Sequence, residues 1–211
     1  MEGARDSILC YVDLSGLIYG REPLSTWRFF SKCTILQTLD INFFMMPKRY
    51  VYLYGLHHDL QHDGLFGCQW EIQGIDMEQE RKLFTRSLTE MVDTLAINCI
   101  CEEFSEEALQ ECEAEYTWGW QIASQKDIVH KMVDPTREER DALGIPIYSE
   151  VNEEENFCRR EAEWMRRIHD LPFTNLLFIC GEKHLQSFRK LLSEDGNYEA
   201  RFFPHLYRKG V

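Results

Sequence analysis

Apolar and polar positions along the chain predict five strands separated by helices. The strand-like segments are short, apolar and rich in β-branched or aromatic residues, and they are KRYVYLYG, AINCICEE, DIVHKMVDP, NLLFICG and YEARFF. Strands that alternate with helices in this way are typical of a parallel sheet with helices packed on its faces. We therefore predict an α/β fold with a mainly parallel sheet in a three-layer arrangement.

The segments between the strands carry helical spacing. From Asp76 onward, apolar residues recur near i, i+3 and i+4 positions, and they are Met77, Leu83, Phe84, Leu88, Met91 and Leu95. A second helix is predicted over SEEALQECEAEYTWGWQIASQ, with Ser105 as its N-cap. A long charged helix is predicted from Glu150 to Asp170, and a last one over EKHLQSFRKLLSEDG.

A shorter helix is predicted over TREERDALG, and its two ends are marked in the sequence. Thr136 is placed to act as N-cap, and Glu139 stands three residues later in the capping-box position. Gly144 follows as the residue at which the helix stops.

The first 46 residues differ from the rest because their apolar stretches lack a clean period. They are predicted to be either an extension that precedes a natural start at Met46 or a small packed lobe, and the pattern leaves both open. Residues 47–211 are predicted to form a single α/β domain, since a chain of 211 residues is long enough for one sizeable core.

Composition narrows the classes of function. With 44% hydrophobic and 28% charged residues the chain has the composition of a folded globular protein. A net charge of -13 disfavours general nucleic-acid binding, because an acidic surface repels phosphate. The sequence shows neither a signal peptide nor a run approaching the roughly 18 apolar residues of a membrane span.

Cysteine usage indicates a reducing compartment. None of the eight cysteines forms a CxxC pair, and three lie inside apolar runs, namely Cys99, Cys101 and Cys180. We interpret them as reduced core residues and expect a cytoplasmic protein.

Titratable residues follow one predicted strand after another. They are His57 and His58 after the first, Glu102 and Glu103 at the end of the second, Asp134 after the third and Gly181 to His184 after the fourth. In open parallel sheets ligands bind at the carboxyl ends of the strands. These side chains are therefore expected to converge on one crevice that takes a small-molecule substrate or ligand.

The segment HHDLQH, residues 57–62, allows two interpretations. His58 and His62 have the H-x-x-x-H spacing of zinc proteases, but Asp59 stands where those enzymes need a glutamate. We favour a polar loop that gives His57 or His58 to the crevice. A divalent metal ion is a candidate cofactor, with His57, His58 and His184 as its candidate ligands.

Two sets of site residues follow from this placement. The candidate catalytic residues are His58, Glu102, Glu103 and His184, and one of the two glutamates is expected to face the crevice while the other pairs outward. The candidate substrate-binding residues come from the basic helix and from the DPTREER segment, and they are Asp134, Arg137, Arg160, Glu163 and Trp164.

The segments YLYGLHH, ICEEFSEE and LLFICGEKHLQSFRKLL resemble those of a superfamily that includes the erythromycin esterases, the haem-uptake ChaN proteins and the TraB/Tiki proteins. The set is also similar to small uncharacterised bacterial proteins with G-x-x-H-x-x-Q, EE, DPT-x-x-ER and CG-x-x-H segments. The resemblance covers about residues 48 to 203. It maps the family's histidines onto His58 and His184 and its acidic pair onto Glu102 and Glu103, but a second Tiki-type acidic motif is missing.

Superfamily members include esterases, metal-dependent peptidases and haem binders, so the resemblance implies a fold more firmly than a reaction. We expect a hydrolase-like site in which Glu102 or Glu103 activates water and the histidines hold a metal or stabilise an oxyanion. Arg160 is expected to orient an anionic or carbonyl substrate. The alternative is a non-catalytic sensor domain that binds a nucleotide signal or haem in the same crevice.

Overall fold

A computed structural model describes residues 48–64, 76–146 and 153–204 of the chain, and the predictions for residues 1–46 lie outside this part. Five strands form one sheet in the order β3-β2-β4-β1-β5. They are β1 Arg49–Leu56, β2 Cys99–Glu102, β3 Val129–Met132, β4 Asn175–Gly181 and β5 Tyr198–Pro204. Every neighbouring pair is parallel, which confirms the predicted α/β class.

Six helices connect or follow these strands within the described ranges. They are α1 Met77–Thr94, α2 Glu106–Glu111, α3 Trp118–Lys126, α4 Arg137–Leu143, α5 Glu153–His169 and α6 Leu185–Asp195. Two short 3-10 turns, His58–Leu60 and Glu182–His184, follow β1 and β4 directly.

Helix ends occur where the local chemistry predicts them. Ser105 caps α2 by accepting from the Ala108 N–H. Thr136 and Glu139 form the expected capping box on α4, and Gly144 ends that helix with a φ of 66°. A residue without a Cβ adopts this left-handed conformation at little steric cost.

The single helix predicted over residues 105–125 is wrong, because the structure breaks it into α2 and α3. Glu113 adopts a φ of 49°, which α-helical geometry does not allow. Thr117 then starts α3 as a new N-cap that accepts from the Trp120 N–H. The break turns α3 so that its first residues lie against the end of β2.

Helices cover both faces of the sheet and so create two apolar cores. On one face, α5 and α6 pack Trp164 and Phe188 against Phe178 of β4. On the other face, α1 and α3 bring Phe84 and Ile122 into the second core. The cysteines predicted to be core thiols, Cys99, Cys101 and Cys180, are buried and free. This three-layer arrangement brings the carboxyl ends of all five strands to one edge.

Of the helices in the described ranges, none combines the length and hydropathy that a membrane span requires.

Candidate functional site

A cavity of about 530 Å³ lies at the carboxyl ends of β1, β2 and β4. The turn after β1 contributes His58, the residue after β2 contributes Glu103, and the 3-10 turn after β4 contributes His184. Helix α5 closes one side with Phe157 and Arg160. Three of the predicted strand ends therefore meet at one cavity, as parallel pairing requires.

Glu103 is the buried anion of this cavity. Its Oε1 accepts from Arg160 Nη2 at 2.5 Å, and its Oε2 accepts from the Gly181 N–H at 2.8 Å. Burial raises the pKa of Glu103, but the charges of Arg160, His58 and His184 hold that pKa well below its usual value. Glu103 is therefore a carboxylate at neutral pH.

His184 lies between two carboxylates. Its Nε2 is 3.3 Å from Glu103 Oε1, and its Nδ1 is 2.7 Å from Glu161 Oε1. Burial lowers the pKa of His184, but these carboxylates outweigh that effect and raise it to about 9. At neutral pH the ring is an imidazolium that donates on both sides.

Arg160 links Glu103 to the next strand end. Its Nε and Nη2 donate to Asp134 Oδ1 at 3.1 and 2.9 Å, and Trp164 Nε1 donates to the same oxygen at 3.0 Å. Arg140 binds the other carboxylate oxygen of Asp134. Buried pairing with two carboxylates raises the pKa of Arg160 further.

The remaining nitrogen of Arg160, Nη1, is directed at His184 rather than at a carboxylate. It lies 3.5 Å from His184 Nε2. A protonated ring has no lone pair to accept from Nη1, so the hydrogens of Nη1 stay available to an oxygen in the cavity. Among the described residues, no carboxylate accepts a hydrogen bond from Arg160 Nη1.

His58 lines the same cavity as Arg160 and His184. Its Nδ1 is 2.9 Å from the amide oxygen of buried Gln61, which can only accept. In the neutral ring Nε2 therefore keeps its lone pair, 3.7 Å from Glu103 Oε1. With a side chain 46% exposed, His58 is accessible to a molecule bound in the cavity.

The neighbouring histidine, His57, is oriented differently. Its Nδ1 accepts from the Asp59 N–H at 3.4 Å and lies 3.5 Å from Asp59 Oδ2. Although His57 lines the cavity, these contacts turn its Nδ1 towards the loop. His58, by contrast, directs its Nε2 towards Glu103.

Most of the sequence-predicted residues are brought together, and three are not. Those that join one connected network are His58, Glu103, Asp134, Arg160, Trp164 and His184. Glu163 pairs instead with Arg166 and Arg167 on the outer side of α5. Arg137 pairs with Glu107 and Glu111 next to α2.

Glu102 faces the opposite side of the sheet from Glu103. Its Oε1 accepts from the Thr117 hydroxyl and lies 2.7 Å from His130 Nε2. Gly119, in the first turn of α3, approaches so closely that a Cβ there would overlap the Glu102 carboxylate. Glu102 therefore joins a separate cluster and does not reach the cavity.

Sequence reasoning missed Glu161, the residue that fixes His184. Its carboxylate is buried and also accepts from the Ser187 hydroxyl at 2.6 Å. The signal was present, because Phe157, Glu161, Trp164 and Ile168 share one helical face at i, i+4, i+7 and i+11. Glu163 stands two residues from Glu161 and so points elsewhere.

The predicted metal site does not fit the donors that the structure brings together. Glu103 Oε1 is already bound to Arg160, and both ring nitrogens of His184 face carboxylates as donors. A divalent cation needs these groups as lone-pair donors. Within residues 48–64, 76–146 and 153–204, no group of three or more His, Cys, Asp or Glu side chains is arranged to hold a metal ion.

Comparisons with known proteins add no assignment, because this chain matches no protein-family model, no curated protein and no solved structure. The resemblance to the esterase, ChaN and TraB/Tiki superfamily therefore stays an expectation that rests on the quoted motifs.

Proposed function

We propose that the domain is a hydrolase that cleaves a small carbonyl compound without a metal ion in the cavity between His58 and Arg160. The observation that carries the proposal is that His58 Nε2 lines the same cavity as two cations, Arg160 and His184, and that all three converge on Glu103 Oε1. A general base and oxyanion-stabilising groups have to line one substrate cavity together.

In the proposed reaction, His58 takes a proton from water as the water attacks the carbonyl carbon. Arg160 Nη1 donates to the developing oxyanion, and the charge of His184 stabilises that oxyanion through a buried, weakly screened environment. The protonated His58 then returns its proton to the leaving group. Glu103 keeps both cations in place, and its low pKa makes it a poor base, so we assign the base role to His58.

Binding of a small anionic ligand without turnover is the second candidate. It is favoured by the pairing of three carboxylates, Glu103, Asp134 and Glu161, with three cations, Arg140, Arg160 and His184. These ion pairs hold Arg160 Nη1 in place as a donor for an anion. Binding of an anion there requires no group to gain or lose a proton. A nucleotide signal or haem propionate would supply the anion.

Turnover of a panel of chromogenic carboxylic esters separates the two candidates. We expect His58→Gln to lower kcat/KM by about 10²- to 10⁴-fold, the usual contribution of a general base. His169→Gln is the matched control, because His169 lies at the far end of α5, where its Nδ1 is 3.4 Å from the Tyr198 hydroxyl.

Equal activity of the two variants would contradict the proposed base. Absence of turnover in the wild-type protein, combined with saturable binding of an anionic ligand that depends on Arg160, would favour the binding function.

A further inference from the structure

A second cavity, of about 610 Å³, lies beside the edge strand β3. The start of α3 and the segment before it provide one wall, with Tyr116 and Trp120, and β3 provides another, with His130. None of these three residues lines the cavity at His58. The two cavities therefore have separate walls.

The aromatic wall presents a flat apolar surface. Trp120 is 46% exposed, although an indole of this size is usually covered. The ring of Tyr116 lies 6.2 Å from that of Trp120 at an interplanar angle of 32°, and Trp118 supports Tyr116 from its edge at 5.3 Å. An exposed, buttressed indole is a suitable surface for stacking of a planar ring.

His130 adds an oriented polar group to the same cavity. Its Nε2 is committed to Glu102 Oε1 at 2.7 Å, which leaves Nδ1 as the ring nitrogen that a ligand can use. The Thr117 hydroxyl fixes Glu102 from the other side. The second carboxylate oxygen of Glu102 is buried and has no hydrogen-bond partner among the described residues.

The rim of this cavity carries an excess of acidic side chains, with Glu106, Glu115, Asp134 and Glu139 against Lys131 and Arg167. Glu106 and Glu115 line it, and neither forms an ion pair with another described residue. Carboxylates accept from amino groups and repel phosphate, so the rim favours a ligand that carries exocyclic N–H donors. Met132 and Leu109 complete the lining with apolar surface.

We propose that this cavity binds a planar, amino-substituted heteroaromatic ring, of which a nucleobase is the simplest example. The ring stacks on Trp120, its amino group donates to a rim carboxylate, and His130 Nδ1 bonds to its edge. Because the rim is acidic and the chain has a net charge of -13, a free nucleoside fits better than the same base in a nucleic-acid strand.

Calorimetric titration of the full chain with adenosine tests the proposal. We expect saturable binding that Trp120→Ala weakens by at least about fivefold, the low end of what base–aromatic stacking contributes. His130→Gln is expected to weaken it as well. Phe203→Ala is the matched control, because Phe203 is a comparably exposed aromatic residue, 38% exposed, on the other edge strand.

The same titration identifies the cavity and the source of the base. His58→Gln should leave adenosine affinity unchanged, and oligoadenylate at equal base concentration should bind more weakly than adenosine. The proposal is overturned if adenosine does not saturate below about 10 mM, weaker than ordinary small-ligand affinities. It is overturned equally if Trp120→Ala and Phe203→Ala bind adenosine alike, or if oligoadenylate binds more tightly.

Discussion

Glu102 and Glu103 are adjacent carboxylates at one strand end, yet their surroundings differ. Glu103 is surrounded by cations, with Arg160 Nη2 at 2.5 Å and His184 Nε2 at 3.3 Å from its Oε1. Glu102 has one histidine, one hydroxyl and the start of a helix around it. Successive side chains of a strand point to opposite faces of the sheet, and the two carboxylates therefore lie in these two environments.

The difference shows how two adjacent residues at one strand end can serve two different sites. On the Glu103 side, charge is concentrated and fixed next to a cavity, as a reaction that develops an oxyanion requires. On the Glu102 side, the carboxylate orients one imidazole and lies at the N-terminus of α3, where the helix dipole favours a negative charge. The first cluster is suited to polarising a bound molecule, and the second to presenting a single ring nitrogen.

Neutralising each glutamate in turn should give the largest contrast. Glu103→Gln leaves Arg160 and His184 buried with less compensation, so we expect it to lower the free energy of unfolding by about 3–5 kcal/mol. Glu102→Gln should lower it by about 1–3 kcal/mol, the range for a weakened buried hydrogen bond. Urea unfolding of both variants measures the difference in the free energy of unfolding. Equal losses would contradict the view that Glu103 compensates buried charge and Glu102 does not.

Alkaline pH should remove the stabilisation that protonated His184 contributes next to Glu103. The pKa of His184 is raised from 6.5 to about 9 by folding. Its stabilisation is therefore complete below about pH 6.5 and is lost as pH rises through about 9. The loss amounts to about 3 kcal/mol, at 1.36 kcal/mol for each pKa unit.

Comparison with His184→Gln isolates this effect, because other groups that titrate at alkaline pH cancel in the difference. The stability gap between wild type and variant should shrink between about pH 6 and pH 10. A gap that stays constant over this range would show that His184 is not charged in the native state.

Glu161→Gln tests whether the Glu161 carboxylate raises the pKa of His184. Losing a charge-assisted hydrogen bond should lower the free energy of unfolding by about 1.5–3 kcal/mol and lower the pKa of His184. Proton NMR titration of the imidazole measures that pKa directly. Glu163→Gln is the control, since Glu163 pairs with Arg166 and Arg167 away from His184, and an equal shift in both variants would contradict the assignment.

The smallest expected effect comes from adding one methyl group beside each carboxylate. Gly119→Ala overlaps Glu102, and we expect a net loss of about 1 kcal/mol after the better helix propensity of alanine is included. Gly181→Ala places a Cβ 2.9 Å from Nε2 of the partly exposed His58, which can move aside. Thermal unfolding should therefore rank Gly119→Ala as the more destabilised variant.

The fold could be predicted from the sequence because its signals are local. The three central strands β1, β2 and β4 are short apolar runs, and the caps at Ser105 and Thr136 are satisfied within four residues of the chain. The break between α2 and α3 was missed because residues 105–125 read as one helical stretch. It depends on the left-handed Glu113 and on Thr117 contacting Glu102 from another element.

The sequence predicts which residues lie at the strand ends, but it does not predict which of them face the cavity. Alternation along β2 predicted that one glutamate would face the crevice, but it could not say which one, because that depends on which helices pack on which face. Glu161 and Glu163 posed the same question on α5, where two residues correspond to a rotation of about 200°. Trp164 is the residue that decides it, because its burial in the core sets the phase of α5 and brings Glu161 to the inner face.

The position of β4 has a consequence for how the protein is made. Within the described sheet, β1 hydrogen-bonds only to β4 and β5, and β2 is joined to β1 through β4. The first three strands therefore leave the ribosome before the strand that unites them has been synthesised. β2 can pair with β3 in that interval, but β1 and the free edge of β2 stay unpaired while the nascent chain is most open to misassembly and to chaperones.

Because β4 also ends in the turn that carries His184, sheet closure and site assembly occur in the same late event. A chain that stalls before this segment contains Glu103 and Glu161 but lacks the imidazolium that lies between them. Non-local pairing of this kind also slows folding, since long loops must close before any contact is gained. The proposed activity thus cannot arise before the turn after β4 has been synthesised.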